Sequence, residues 1–266
     1  MDSVALYLRL VGARVRGQCQ YRVSFLLQVA SSFTSTFVEL LAIVILFSRF
    51  SDLAGWAVGE VAFLYGLVSV AFGLTEMLGA GFDEVSVLVR TGEFDRVLTR
   101  PVSTFVQVLA ADFQLRRVGR VAQGALALAL AQRWLAVAWT LPKALVFLAA
   151  VLSSASVFFT VLLVGAAICF WTVETSEAQN VFTYGGTELA SYPLHIYNRW
   201  MQAAFLYVVP LALTSYYPAL YLLGKPDPLG LPPVLPFLAP AVAVVFFAVG
   251  LLVWQVGLRH YQSTGS

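Results

Sequence analysis

Hydrophobic residues along this chain come in long unbroken blocks. They show neither the alternation of a half-buried strand nor the narrow stripe of a surface helix. Six blocks stand out: Phe25–Phe47, Val61–Leu78, Arg120–Ala138, Ala144–Trp171, Met201–Leu223 and Phe237–Leu258. Each is close to the roughly 20 residues a helix needs to cross about 30 Å of hydrocarbon. Lipid offers backbone amides no partners, so a spanning segment must be a helix or belong to a closed barrel, and non-alternating runs select helices. The pattern predicts an all-α, polytopic membrane protein with six transmembrane helices in a single domain over residues 1–266. The third block is alanine-rich and interrupted by Gln123, Gln132 and Arg133. The fourth is long enough to require tilt. Pro210 and Pro218 fall inside the fifth and are expected to bend it.

Three polar segments separate the blocks. In Ser3–Arg22, Val4, Leu8, Val11 and Val15 form one helical stripe, with Arg9, Arg14 and Arg16 off it. That pattern suits an elbow helix (residues 1–23) lying along the membrane surface; a plain extension of the first span is the alternative. Gly79–Gly119 far exceeds the roughly 2–8 residues of an ordinary helix connection. Inside it Phe94, Val97 and Leu98 make an apolar knob ringed by Glu93, Asp95, Arg96 and Arg100, between Gly92 and Pro101. Spacing alone leaves two readings open, a helix that docks on another protein or a loop folded onto its own bundle. The third segment, Thr172–Trp200, carries Glu174, Glu177, Asn180, Glu188 and His195. It reads as too polar to span, and a second loop on the same face is expected there.

Composition narrows the class. Of 266 residues 60% are hydrophobic and 11% charged, against about 45–50% and 25% in soluble domains. Mean hydropathy is +0.83. A soluble enzyme, a disordered tail and a secreted disulfide scaffold are excluded, and Cys19 and Cys169 are too few for a framework. A net charge of +2 implies no nucleic-acid surface. Where the charge lies matters more. Twelve of the 16 Lys and Arg residues fall on the side of the N-terminus and four on the other. The positive-inside rule then puts both termini in the cytoplasm.

The sequence holds no His-Glu-x-x-His, no Gly-x-Ser-x-Gly and no phosphate-binding Gly-x-x-x-x-Gly-Lys-Ser/Thr. No catalytic residue, metal-ligand set or cofactor of its own is expected. The informative intramembrane residue is Glu39, where an ionisable group is costly. Ser32, Ser35, Thr36 and Glu39 share one helical face. They read either as the wall of a substrate path, with Glu39 meeting a cationic group, or as a hydrogen-bonding seam between helices. The seam is the commoner use of such a strip. Glu76, near the end of the second span, is expected to meet an interfacial arginine.

Several motifs resemble one family. Gly92-Glu93-Phe94-Asp95-Arg96-Val97-Leu98-Thr99-Arg100-Pro101-Val102 resembles the cytoplasmic "GELDxxLLRPV" element of ABC-2 type permeases, in an uncharacterised, viologen-exporter-like subgroup. Tyr192-Pro193-Leu194-His195-Ile196-Tyr197 is similar to its "YPLxIY", Tyr216-Tyr217-Pro218-Ala219 to its "xxYPA", and Gly257-Leu258-Arg259-His260-Tyr261-Gln262-Ser263 to its "GLRxYxS". The resemblance implies a permease subunit of an ATP-driven exporter in a bacterial plasma (inner) membrane. It also implies a coupling helix after the second span that enters a groove on a separate ABC ATPase subunit. By motif, Glu93, Phe94, Asp95 and Arg96 are then the ATPase contacts. ATP and magnesium would sit on that partner, and a second permease, identical or different, would complete the pore. An amphiphilic cargo is implied. The short Gly224–Pro236 segment departs from the re-entrant outer helices that family members often carry there. A secondary transporter and a non-transporting membrane scaffold are the alternatives.

Overall fold

A computed structural model describes residues 3–172 and 180–262, and among them the only strand-like pairing is one bridge between Leu53 and Trp56. The all-α expectation holds for these residues. Helices α1 (Ser3–Gln20) and α2 (Arg22–Arg49) are distinct, because Tyr21 leaves helical geometry at φ −102°, ψ 74°. Gln18 ties α1 to the Phe113 carbonyl and, at 3.0 Å, to the Leu115 amide. The N-terminal segment is therefore no straight extension of α2.

Helix α3 (Val58–Asp83) is the centre of the core. It is apolar around its whole circumference, and a helix of that kind must be covered on every side. Helix α7 (Val118–Leu135) runs antiparallel along it. Gly59, Gly66 and Gly73 of α3, each seven residues from the next, face Leu135, Leu128 and Val121 of α7, which are also seven apart; a Cβ at the three glycines would lie 3.0, 2.8 and 2.9 Å from those side chains. A heptad spacing keeps one seam facing the partner, and small residues let membrane helices approach closely. Four helical stretches are long and apolar enough to cross a membrane by themselves: α2, α3, α8 (Leu141–Thr172) and the last helix, Ala239–His260. Shorter, alanine-rich α7 packs along α3 from Gly59 to Gly73.

Three short helices cap one end of the bundle, which carries most of the arginines: α4 (Val85–Arg90), α5 (Phe94–Leu98) and α6 (Thr104–Ala111). Gly81 presses α3 against α6, where an added Cβ would lie 1.9 Å from the Val108 carbonyl oxygen.

The second half corrects two expectations. The segment Thr172–Trp200 was expected to stay on one face. Instead, beyond residues 173–179, which lie outside the described residues, it runs the length of α3. The Tyr184 hydroxyl meets Glu76 near the arginine-rich end, while His195 bonds the Ala54 carbonyl at the opposite end. This path is made by a π turn (Val181–Gly185), α9 (Gly186–Ala190), a turn at Ser191–Tyr192 and a 3-10 turn (Leu194–Ile196). Its Thr183, Thr187 and Ser191 side chains are buried within the bundle.

The fifth block, Met201–Leu223, is not a continuous span. It forms α10 (Arg199–Ala203) with a π turn (Ala204–Val208), then α11 (Leu211–Thr214) and α12 (Tyr216–Leu223), bent by 69° at Pro210. It begins just after His195 and ends at Lys225, which bonds the Gly55 carbonyl and Glu60 at 2.9 and 2.7 Å. Entry and exit lie at the same end, so the pair is re-entrant. A re-entrant element was not expected in this block; it lies just before the short Gly224–Pro236 segment. Helix α13 (Ala239–His260) then returns along α8.

Candidate functional site

Four charged side chains meet inside the bundle where α2, α3 and α7 converge. Glu76 of α3 pairs with Arg117 at 3.0 Å and lies 3.6 Å from Arg120. Arg120 also lies 3.8 Å from Glu39 of α2, and its guanidinium sits 4.7 Å from the centre of the Phe72 ring. Tyr184 donates to Glu76 at 3.1 Å. The Tyr65 hydroxyl faces three acceptors: the Thr36 carbonyl at 2.8 Å, Glu39 at 3.1 Å and Gln123 at 3.3 Å. It has one proton to share among them.

Two guanidiniums balance two carboxylates, the condition under which charge survives in an apolar interior. The Arg120 contacts are Coulombic, since 3.6–3.8 Å exceeds hydrogen-bond length. Among the described residues, Arg120 Nε, Gln123 Nε2 and Glu76 Oε2 have no hydrogen-bond partner. The network is charge-balanced but not fully bonded.

A groove of about 350 Å³ opens beside it, lined by the α2 strip Ser31, Ser32, Ser35, Thr36 and Glu39 and faced by Arg116, Arg117, Arg120 and Tyr184. The structure splits the predicted strip between its two readings. Thr36 is buried, with its hydroxyl turned back to the Ser32 and Phe33 carbonyls at 3.1 Å, and belongs to the helix seam. Ser35 bonds the Ser31 carbonyl at 2.9 Å and stays exposed on the groove side with half-buried Ser32. Glu39 faces both ways, its side chain 34% exposed against 6% for Glu76. Its charge is answered by Arg120, and three guanidiniums share its groove, so the surroundings disfavour the cationic partner the sequence suggested. Sequence reasoning did place Glu76 against an arginine. It missed Arg120 as a buried residue, although an arginine and Gln123 on the most polar block were the available signal.

At the arginine-rich end, α5 is clamped to the bundle. Phe94 was expected to contact a partner, and the structure turns it inward instead. It is fully buried, its ring 5.0 Å from that of Phe170 at the end of α8 and 5.1 Å from that of Tyr261 beyond α13. Asp95 is occupied as well, accepting from the Tyr261 hydroxyl at 2.9 Å. Burial, and then that hydrogen bond, push the Tyr261 hydroxyl up to about 12, so it donates as a neutral phenol at physiological pH. Glu93, Arg96, Leu98 and Arg100 are exposed. Phe94→Ala is expected to cost about 3–5 kcal/mol by leaving a cavity. Faster protease cleavage within residues 84–117 will report it, while Leu98→Ala, on the open side, changes stability by less than about 0.5 kcal/mol.

The family described as ABC-2 family transporter protein matches residues 33–265. No curated protein and no solved structure matches the chain. The matched stretch runs from within α2 through the ion-pair network, the clamped α4–α6 region and the re-entrant pair, so the family pattern covers every element that positions the site. Members supply the membrane component of a transporter and associate with an ABC ATPase. This chain belongs to the ABC-2 transporter family, as a multi-pass membrane protein.

Proposed function

We propose that the chain is the permease of an ATP-binding cassette exporter that moves an amphiphilic substrate, driven by a separate ATPase subunit docked on α5. The observation that carries this reading is the clamp. Phe94 and Tyr261 fasten α5 to the ends of α8 and α13, while Glu93 and Arg96 stay exposed to meet a partner. A push on α5 would pass into α8 and α13 through those rings, and into α3 through the Gly81–Val108 contact. Helix α3 carries Glu76, so the motion would reach an ion-pair network with bonding capacity to spare. Nucleotide must favour one arrangement of that network by differential affinity for the two states.

The arginine-rich end is read as cytoplasmic, with both termini there, in a bacterial plasma membrane. Moving Arg199 to the far side still leaves eleven basic residues against five of the 16. Helix α1 would lie along that inner surface as the elbow. Helix α2 exposes Val38, Leu41 and Ile45, an apolar face that suits lipid or a second permease, identical or different. ATP and magnesium would reside on the ATPase.

The paired substitution Glu93→Arg/Arg96→Glu reverses the exposed charges and leaves Phe94 and Asp95 in place. Vesicles holding the permease with its ATPase are expected to lose substrate-stimulated ATP hydrolysis by about ten-fold or more, the equivalent of about 1.4 kcal/mol of docking energy. The amount of inserted permease should not change. Undiminished stimulated turnover would remove α5 as the docking element, and cargo movement on an ion gradient without any ATPase would remove the exporter reading.

A further inference from the structure

A second groove, of about 780 Å³, lies beneath α1, between it and α5 and α6. Three guanidiniums line it, from Arg14 of α1, Arg100 after α5 and Arg116 ahead of α7. None of the three pairs with a carboxylate among the described residues, and Arg116 only donates to Gln114 at 3.2 Å. The one acid in the lining is Asp112, which already accepts from the Gln114 amide at 2.8 Å. Leu10, Ala13, Leu88 and Val97 supply an apolar wall. The groove is therefore cationic and amphipathic, and its three guanidiniums meet no carboxylate partner among the described residues.

Its depth in the membrane follows from the other face of α6. Phe105 and Leu109 there line a separate groove of about 620 Å³ that is almost wholly apolar and takes in Leu74, Leu78 and Phe159. Leu78 and Leu74 precede the end of α3 by one to two and a half turns, roughly 8–14 Å at 1.5 Å per residue. One face of α6 thus suits acyl chains and the other borders the arginine-lined groove. That places the arginine groove at headgroup level. It also continues inward, because Gln28 and Arg116 line both this groove and the one that holds Glu39.

We propose that the groove beneath α1 binds the phosphate of an anionic phospholipid, held by Arg14, Arg100 and Arg116, with the glycerol and first methylenes against Leu10 and Val97. A guanidinium fork matches phosphate oxygens in a way a single ammonium does not. Clustered basic residues at a membrane surface select anionic lipids. The inference goes beyond the exporter reading and does not depend on it, since a scaffold with this groove would bind the same lipid.

The test is native mass spectrometry of the full chain in detergent, stripped of lipid and offered equimolar phosphatidylglycerol and phosphatidylcholine. The wild type is expected to retain one phosphatidylglycerol with a preference of about ten-fold or more. Arg14→Gln/Arg100→Gln/Arg116→Gln should bring the ratio near one. Arg90→Gln/Arg199→Gln/Arg259→Gln removes the same charge elsewhere and should keep the preference. Ala13→Glu, which puts a carboxylate in the groove with every arginine intact, should lose it and guards against misfolding of the triple variant. Equal retention of the two lipids, or loss of preference in the distant triple variant, overturns the proposal. So does full displacement of the bound lipid by excess inorganic phosphate, which would mark a free-phosphate site.

Discussion

Arg120→Met is expected to destabilise the protein by about 3–5 kcal/mol, the cost of stranding buried charge whose partner has gone. Among the described residues, Arg120 is the only side chain that pairs with both Glu39 and Glu76, at 3.8 and 3.6 Å. Without it Glu76 keeps Arg117 at 3.0 Å, but two carboxylates face one guanidinium inside the bundle. Methionine retains the length and the contact with Phe72, so the loss reports charge more than packing. Equilibrium unfolding in mixed micelles measures it. Adding Glu76→Gln should recover part of the loss, with a coupling of about 0.5–3 kcal/mol. Glu39→Gln should cost less than Glu76→Gln alone, because Glu39 is 34% exposed in its groove and Glu76 only 6%. Additive losses in the double variant would show that the two groups do not sense each other and would dissolve the network as a unit.

Gly81→Ala is expected to do at least comparable damage by another route. The added methyl would lie 1.9 Å from the Val108 carbonyl oxygen and 3.4 Å from the Asp112 amide nitrogen. Both are backbone atoms of the α6 region, so no rotamer change can relieve the overlap. Overpacking ordinarily costs about 1–3 kcal/mol where side chains can yield, and more where they cannot. Helix α6 must therefore lift away from α3, and with it the α4–α6 cap. Gly119→Ala repeats the experiment at the α7–α2 contact, where the methyl would lie 2.3 Å from the Val29 carbonyl oxygen. Gly17→Ala is the control. It meets nothing within 4 Å in the last turn of α1 and should gain up to about 0.5 kcal/mol from helix propensity. Melting temperature and retention of the ATPase subunit are the two readouts. A Gly81→Ala chain that melts and docks like the wild type would mean that α6 does not rest on α3 as described.

The limits of the sequence reading follow from particular residues. Glu39 and Glu76 were visible as intramembrane acids because each lies in an apolar block. Their partners were not, because Arg117, Arg120 and Tyr184 come from elsewhere in the chain and only the packing of α2, α3, α7 and the Tyr184 segment brings them together. The spacing of Gly59, Gly66 and Gly73 was legible, and read against Val121, Leu128 and Leu135 it would have shown that polar α7 runs along α3. Phe94 was assigned outward by a motif, yet Tyr261, far away in sequence and just past α13, closes over its ring at 5.1 Å. Only the fold brings the two together.

Sequence by itself determined that this chain is a helical membrane protein, which segments are apolar, and that its basic residues crowd one face. Those are sums over neighbouring residues, and lipid reads them locally. The tertiary structure decided how those segments run through the bundle. Met201–Leu223 is apolar but turns back at Pro210. The Tyr184–His195 run is polar, yet it packs along α3 from Glu76 to the end that meets Ala54. Tertiary structure also decided which charges pair and which arginines stay unanswered, since a charge far from its partner in sequence acquires an energy only when folding sets the distance between them.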